Sequence, residues 1–270
     1  SVLSLCAFFC YLVTISTDFK DFVSVGMGFM AILIVMGIAL LIPPSMPPAL
    51  FDDLVYLSHS VSSQAICGEV TVSMRCDDGF YIKASGTTLE DLKWEDTVYC
   101  NFDGSAKPDE ERKPSMEVSF HAWFYRTFPE INFVCHTHPT STAMILCSSR
   151  ILDFANKRLF AVQVVRNGSK SCIVGYATPG IKLMQEIEKS VTQFIEKEKF
   201  FPKLILLKNH GIITVSASAK DCVTSALMCE KSAEIFIGAK TLNNMTTLTS
   251  EQIQEVSSDP NEKYRMQLLQ

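Results

Sequence analysis

No CxxC pair, no basic stripe interleaved with aromatics, no internal repeat and no low-complexity tract occurs in this 270-residue sequence. Each absence removes a class of protein. With 24 basic residues against 29 acidic ones, and no clustering of the basic ones, there is no electrostatic footprint for nucleic acid. Without a fixed period the chain is no solenoid or propeller. The ten cysteines stand apart, mostly in apolar runs such as Asn132-Phe-Val-Cys135 and Ala226-Leu-Met-Cys229, where a thiol behaves as a small hydrophobe. They read as reduced core residues of a protein facing the cytosol, not as a disulfide framework. What is present, 47% hydrophobic and 20% charged residues, suits one globular α/β domain plus something extra.

The extra piece precedes the cluster Pro43-Pro44-Ser-Met-Pro47-Pro48. Phe22 to Ile42 carries no charge, and its length is close to the roughly 20 apolar residues that an α-helix needs to cross a bilayer. Residues 1–49 are therefore read as an apolar N-terminal segment. Within it, 22–42 is either a transmembrane helix that anchors the protein to a membrane or a stretch foreign to the domain. A signal peptide would be shorter, with a basic start. Flanking charges (Lys20 against Asp18, Asp21, Asp52 and Asp53) balance too closely to give an orientation. Residues 50–270 read as a cytoplasmic α/β domain.

Leu50, Leu54, Leu57 and Val61 recur at helical spacing and predict a helix over Leu50–Ser62. Val70–Met74 and Phe80–Ala84 are β-prone runs joined across Asp77-Asp78-Gly79, a hairpin signal. Further strands are predicted over Thr97–Asn101, Ile131–His138, Leu159–Val165, Ser171–Val174, Lys203–Leu207 and Gly211–Val215. Helices are predicted over Ser115–Phe128, Ile181–Glu198, Ala219–Leu242 and in the tail, with a polar loop over Asp103–Lys113.

The chemistry gathers at strand ends. His136-Thr-His138 closes an apolar strand, and side chains at i and i+2 share a face, so both imidazoles can meet one ion. His210 follows the apolar run Leu204-Ile-Leu-Leu207. Three imidazoles with an open fourth position suit a catalytic metal, zinc above all. Alone, such a pair of histidines is more often only a polar strand end. Glu117, in Lys113-Pro-Ser-Met-Glu117, stands where Pro and Ser mark a helix start, so it reads either as an acid/base or as a first-turn carboxylate favoured by the helix dipole. His121, one turn further on, reads as a packed helical histidine, and His59 as structural.

Four stretches occur together and in order: Asp78-Gly-Phe-Tyr-Ile-Lys-Ala-Ser-Gly-Thr87, Lys113-Pro-Ser-Met-Glu117, His136-Thr-His-Pro139, and Lys208-Asn-His-Gly211 before a long helix. From Leu50 onward the chain resembles the class II aldolase/adducin family, typified by fuculose- and rhamnulose-phosphate aldolases. The resemblance implies an α/β fold, a three-layer α/β/α sandwich with a mainly antiparallel central sheet, commonly assembled as a homotetramer with active sites near subunit interfaces. It implies that His136, His138 and His210 hold Zn2+, or another divalent ion such as Mn2+ or Co2+, and that Glu117 is the acid/base. Ser85 and Gly86, with Ser115 and Met116, match loops that hold the substrate phosphate. The implied reaction is cleavage of a ketose phosphate at a carbon–carbon bond through a metal-stabilised enediolate.

One stretch departs from the pattern. Val70-Thr71 stands where the family carries Gly-Asn; valine does not readily take a positive φ, and threonine has no amide donor. That departure puts the family form of phosphate binding in question. Relatives on the same fold include sugar-phosphate 4-epimerases, which tend to carry Asp at the Glu117 position, and methylthioribulose-phosphate dehydratases. A non-catalytic adducin-like interaction domain is the alternative of another class, and it lacks the metal histidines that this chain keeps.

Overall fold

The structure, a computed structural model, describes residues 48–64, 70–108 and 110–267. The apolar run 22–42 lies outside the described residues. Among those that are described, no helix is long and apolar enough to cross a membrane.

The elements run α1 (Pro48–Val61), β1 (Thr71–Cys76), β2 (Gly79–Lys83), β3 (Thr97–Asn101), α2 (Val118–Thr127), β4 (Phe133–Thr137), α3 (Thr140–Leu146) and α4 (Ile151–Asn156). They continue with α5 (Ala161–Asn167), β5 (Cys172–Val174), α6 (Ile181–Glu198), β6 (Leu204–Leu207), β7 (Ile212–Ser216), α7 (Ala219–Thr241), α8 (Ser250–Ser258) and α9 (Pro260–Gln267). One sheet holds all seven described strands in the order β3-β2-β1-β4-β7-β6-β5. Asp77-Asp78 turns β1 into β2, and Gly79 is required there, because a Cβ would lie 2.3 Å from the Cys100 carbonyl oxygen.

The sheet is mainly antiparallel, as expected, with one exception. Five neighbouring pairs are antiparallel, but β5 and β6 run parallel, so the sheet is mixed. The cause is the connection: α6 carries the chain from β5 back to the start of β6, a crossover that only a parallel pair needs.

Strand alternation divides the burial between two faces. On one, Phe80, Ile82, Val134, Ile205, Leu207 and Ile213 pack with Phe120, Trp123 and Phe124 of α2 and with Leu183, Ile187 and Val191 of α6. On the other, α1 and α7 lie against β1, β4 and β7. The buried stripe of α7 is made largely of small residues, among them Ala219, Cys222, Ala226, Cys229 and Ala233, which lets a 23-residue helix lie close to the sheet. All seven cysteines among the described residues are free.

Two corrections concern helices. Leu159–Val165, expected as a strand from its valines, belongs to helix α5 from Ala161 onward. Gln163, Val164 and Asn167 are buried at helical spacing; the Gln163 side chain accepts the Leu159 N–H, and that of Asn167 donates to the Ser225 carbonyl of α7. Tertiary packing thus overrides β-propensity there. The short helices α3 and α4 were not expected at all.

Candidate metal centre

β4 delivers the first candidate ligand. His136 is fully buried, and its Nδ1 lies 2.9 Å from the Ile212 carbonyl of the neighbouring strand, which fixes the ring and turns Nε2 inward. His138 follows just past the strand end, with its Nε2 2.8 Å from that of His136. His210 arrives from the turn between β6 and β7, where Asn209 takes a left-handed φ of 54°. Gly211 makes the approach feasible: a Cβ there would meet the His138 ring at 2.4 Å and the Thr137 carbonyl at 2.5 Å. The three imidazoles then offer one nitrogen each, all within 4.8 Å of one another.

Glu117 joins them. Its carboxylate oxygens lie 3.3 Å from His136 Nε2 and 3.5 Å from His210 Nε2. α2 begins only at Val118, so Glu117 is the residue before the helix and not a first-turn carboxylate. It is 8% exposed, and burial pushes its carboxyl up to about 8 against the opposing pull of the Lys83 ammonium. Burial, then His138 and His210, hold His136 well below the ordinary histidine range; burial and His138 bring His210 down to about 4.

The donor set suits a divalent cation. Burial keeps His136 and His210 neutral, as metal binding requires, and His210 Nδ1 is buried with no hydrogen-bond partner among the described residues. A cluster that turns imidazole nitrogens toward one another is what an ion would complete.

The two loops expected to meet a phosphate lie side by side. Ala84 and Pro114 form an isolated β-bridge, the Ser85 N–H donates to the Lys113 carbonyl at 2.9 Å, and the Ser115 N–H donates to the Lys83 carbonyl at 3.3 Å. Gly86 has a φ of 82°, open only to glycine at low cost. Ser115 Oγ accepts the Glu117 N–H, which ties this loop to the carboxylate. Met116 is 76% exposed, so it brings backbone position to the loop and no packed side chain. Val70 and Thr71 are both buried; Thr71 sits in register with His136, and its Oγ1 has no partner among the described residues.

His121 is packed, as expected, but it also bonds. Its Nδ1 lies 2.6 Å from Ser73 Oγ, which in turn lies 2.7 Å from the Tyr125 hydroxyl, and its ring stacks on Phe120. His59 is exposed and reaches the Glu90 carbonyl. Sequence reasoning missed two residues around the site. Glu230 of α7 accepts the Ser141 N–H, the Thr142 N–H and the Thr142 hydroxyl, capping the helix that begins two residues after His138. Lys83 links the two loops. No local signal marks Glu230, because its partners lie about 90 residues away.

A mixed sheet covered by helices, with three convergent imidazoles at adjoining strand ends and a buried carboxylate beside them, defines an α/β protein whose donor set suits a divalent metal. Residues 56–237 match the class II aldolase and adducin N-terminal domain, and the chain belongs to that family. It is similar to the L-fuculose phosphate aldolase of Haemophilus influenzae, with 30% identity over 166 residues, which is 61% of this chain and 69% of that one. It is similar also to a 5-methylthioribulose-1-phosphate/5-deoxyribulose-1-phosphate aldolase of Rhodospirillum rubrum, 29% identical over 60% of this chain and 68% of the other. Among solved structures, an L-fuculose 1-phosphate aldolase superposes with a TM-score of 0.67 at 20% identity, over 82% of this chain and 98% of that one.

Proposed function

We propose that this chain is a metal-dependent aldolase that cleaves a carbon–carbon bond in a ketose phosphate. The observation that carries the reading is the buried carboxylate of Glu117 set against three converging imidazoles, His136, His138 and His210. These histidines would hold the ion, zinc first and manganese or cobalt as alternatives. When bound, a divalent cation supplies Lewis-acid stabilisation of negative charge at the substrate carbonyl oxygen.

The protein's own groups do the rest. As the C4 hydroxyl gives its proton to solvent water, the C3–C4 bond breaks, C4 leaves as an aldehyde, and the electron pair passes to the C2–C3 unit. Glu117 then delivers a proton to C3, a role its raised carboxyl suits. The loops carrying Ser85, Gly86, Ser115 and Met116 hold the phosphate, with the serine hydroxyls and the backbone N–H groups that the loop-to-loop bonds leave over as the donors. The chain assembles as a homotetramer around sites near subunit interfaces, as the family resemblance implies. Retention of the whole triad stands against an adducin-like, non-catalytic reading, and Glu in place of Asp at 117 favours lyase over 4-epimerase.

Two measurements test this. Metal analysis of the purified chain should find about one divalent ion per protomer, and a chain that takes up none at micromolar zinc would sink the catalytic reading. Ketose 1-phosphates should then release dihydroxyacetone phosphate; epimerised sugar with no triose would move the assignment to the epimerases, and loss of water to the dehydratases.

A further inference from the structure

We propose that Glu230 of α7 is a positioning residue for His138: its carboxylate ties down the corner after β4 on which that imidazole stands, and so sets how tightly the three histidines hold an ion. This rests on the metal-site reading above. His136 lies within β4, between Thr71 of β1 and Ile213 of β7, and the Ile212 carbonyl holds its ring. The β4–β7 ladder ends at Thr137, so His138 stands past the last rung, and Pro139 turns the chain at once into α3. That helix has seven residues, and the proline before it has no side-chain acceptor for the first N–H groups. Glu230 supplies both acceptors from another helix: one oxygen takes the Ser141 N–H at 2.7 Å, the other the Thr142 N–H at 2.9 Å and the Thr142 hydroxyl at 2.8 Å.

α7 grips the same corner a second time. Gln64 accepts the Thr137 hydroxyl at 3.1 Å and donates to the Ala226 carbonyl at 3.4 Å, one turn before Glu230. The residues on both sides of His138 are thus referred to α7, the helix that packs on β4 and β7. A cleft of about 350 Å3 opens beside the corner, with Gln64, Pro139, Thr140 and Glu230 in its lining, so on that side hydrogen bonds and not close packing fix the backbone. α7 and α8 are capped by their own Ser218 and Thr249, whereas α3 takes a charged acceptor from across the fold, a stronger and more directional hold. A metal site needs that hold, because its donors must stay within roughly 0.5 Å of the coordinating geometry.

The test measures the zinc Kd of the metal-free full chain by competition with a chromophoric chelator, with unfolding midpoints recorded alongside. Glu230→Ala removes both acceptors, and zinc should bind about 10- to 100-fold more weakly, the span for groups that orient a metal ligand. Glu230→Gln keeps one oxygen, and the loss should be smaller but at least about three-fold. Ser218→Ala is the control: it removes the cap at the start of α7, where Ser218 Oγ accepts the Asp221 N–H, and should lower the midpoint with zinc affinity unchanged. If Glu230→Ala does not fold, Glu230→Gln decides alone. A Glu230→Gln chain whose zinc affinity falls by less than three-fold, or which does not fold even in excess zinc, overturns the proposal and leaves Glu230 a cap for stability. An equal loss of zinc affinity in Ser218→Ala overturns it as well, since any lost cap would then suffice. An unaltered chain that binds no zinc would instead sink the metal-site reading itself.

Discussion

Two buried polar clusters in this molecule have opposite accounts of their hydrogen bonds. Around Arg158, which is fully buried, every guanidinium nitrogen donates: Nε to the Gly168 carbonyl, Nη1 to the carbonyls of Phe154, Ala155 and Lys157, and Nη2 to Ser171 Oγ. This knot joins the end of α4, the end of α5 and the residue before β5, and the protein itself answers each of its nitrogens. Around His136 one backbone carbonyl, that of Ile212, holds Nδ1, the partners of Nε2 are another nitrogen and a carboxylate, and His210 Nδ1 and His121 Nε2 remain unanswered among the described residues. Burying polar groups without partners costs roughly 1–3 kcal/mol each. The fold avoids that cost around Arg158 and bears it beside the histidines, as it does at Ser119, Arg166, Asn167 and Ser232; among the described residues only the histidines combine it with convergent metal-type donors. The variants below should divide along that line.

The largest effect is expected where ligand-directed chemistry is removed. His136→Ala should abolish metal uptake and lower turnover by more than about 1,000-fold, given what an ion contributes at a carbonyl. Glu117→Gln should retain the metal and lower turnover by about 100- to 10,000-fold, the span of a general acid/base. Metal content per protomer and steady-state rates, measured side by side, check both. If Glu117→Gln turned over normally with metal in place, the acid/base role would have to pass to another group.

Arg158→Met should act in the other currency. It leaves four backbone carbonyls and a hydroxyl without their donor, and about 3–5 kcal/mol of stability should go with them. The surviving folded fraction should bind metal normally. His210→Ala should show the converse: little change in the stability of the metal-free protein, and loss of the stabilisation by excess zinc, which for a tight site amounts to about 2.7 kcal/mol at a hundred-fold excess over Kd. Denaturant melts with and without zinc distinguish the two. A metal-free chain that His210→Ala destabilised as much as Arg158→Met does would erase the contrast between the clusters.

The contrast also explains what could be read from sequence. His136 and His138 were legible because strand periodicity is a local rule, and His210 because it repeats the same pattern of apolar run followed by a strand end. Glu117 was legible as a residue but not as an environment. The expected helix began at Ser115, whereas α2 starts after the carboxylate, and only tertiary burial raises its carboxyl. The Arg158 knot was invisible, since a guanidinium among backbone carbonyls leaves no sequence pattern. Leu159–Val165 misled for a related reason: its valines favour a strand, while contacts of Gln163 and Asn167 that the sequence cannot display make it helical. The resemblance identified the family, but not the crossover that makes the β5–β6 pair parallel.

The smallest expected effect bears on the residue that belongs to neither cluster by its bonds. Thr71 is 1% exposed, lies opposite His136 in the β1–β4 register, and carries a hydroxyl without a partner among the described residues. Thr71→Val keeps the shape and removes that hydroxyl. If the hydroxyl were architectural, its loss would cost about 1 kcal/mol, the worth of an ordinary internal hydrogen bond. If it is kept for a ligand, the variant should be as stable as the parent or slightly more so, because an unanswered buried group is gone. The expected outcome is the second: an unfolding midpoint equal to or above that of the parent, with substrate KM raised several-fold at unchanged metal content. A lower midpoint with unchanged KM would move Thr71 to the architectural side, and the departure from the family's Gly-Asn pair would then be a matter of packing and not of substrate.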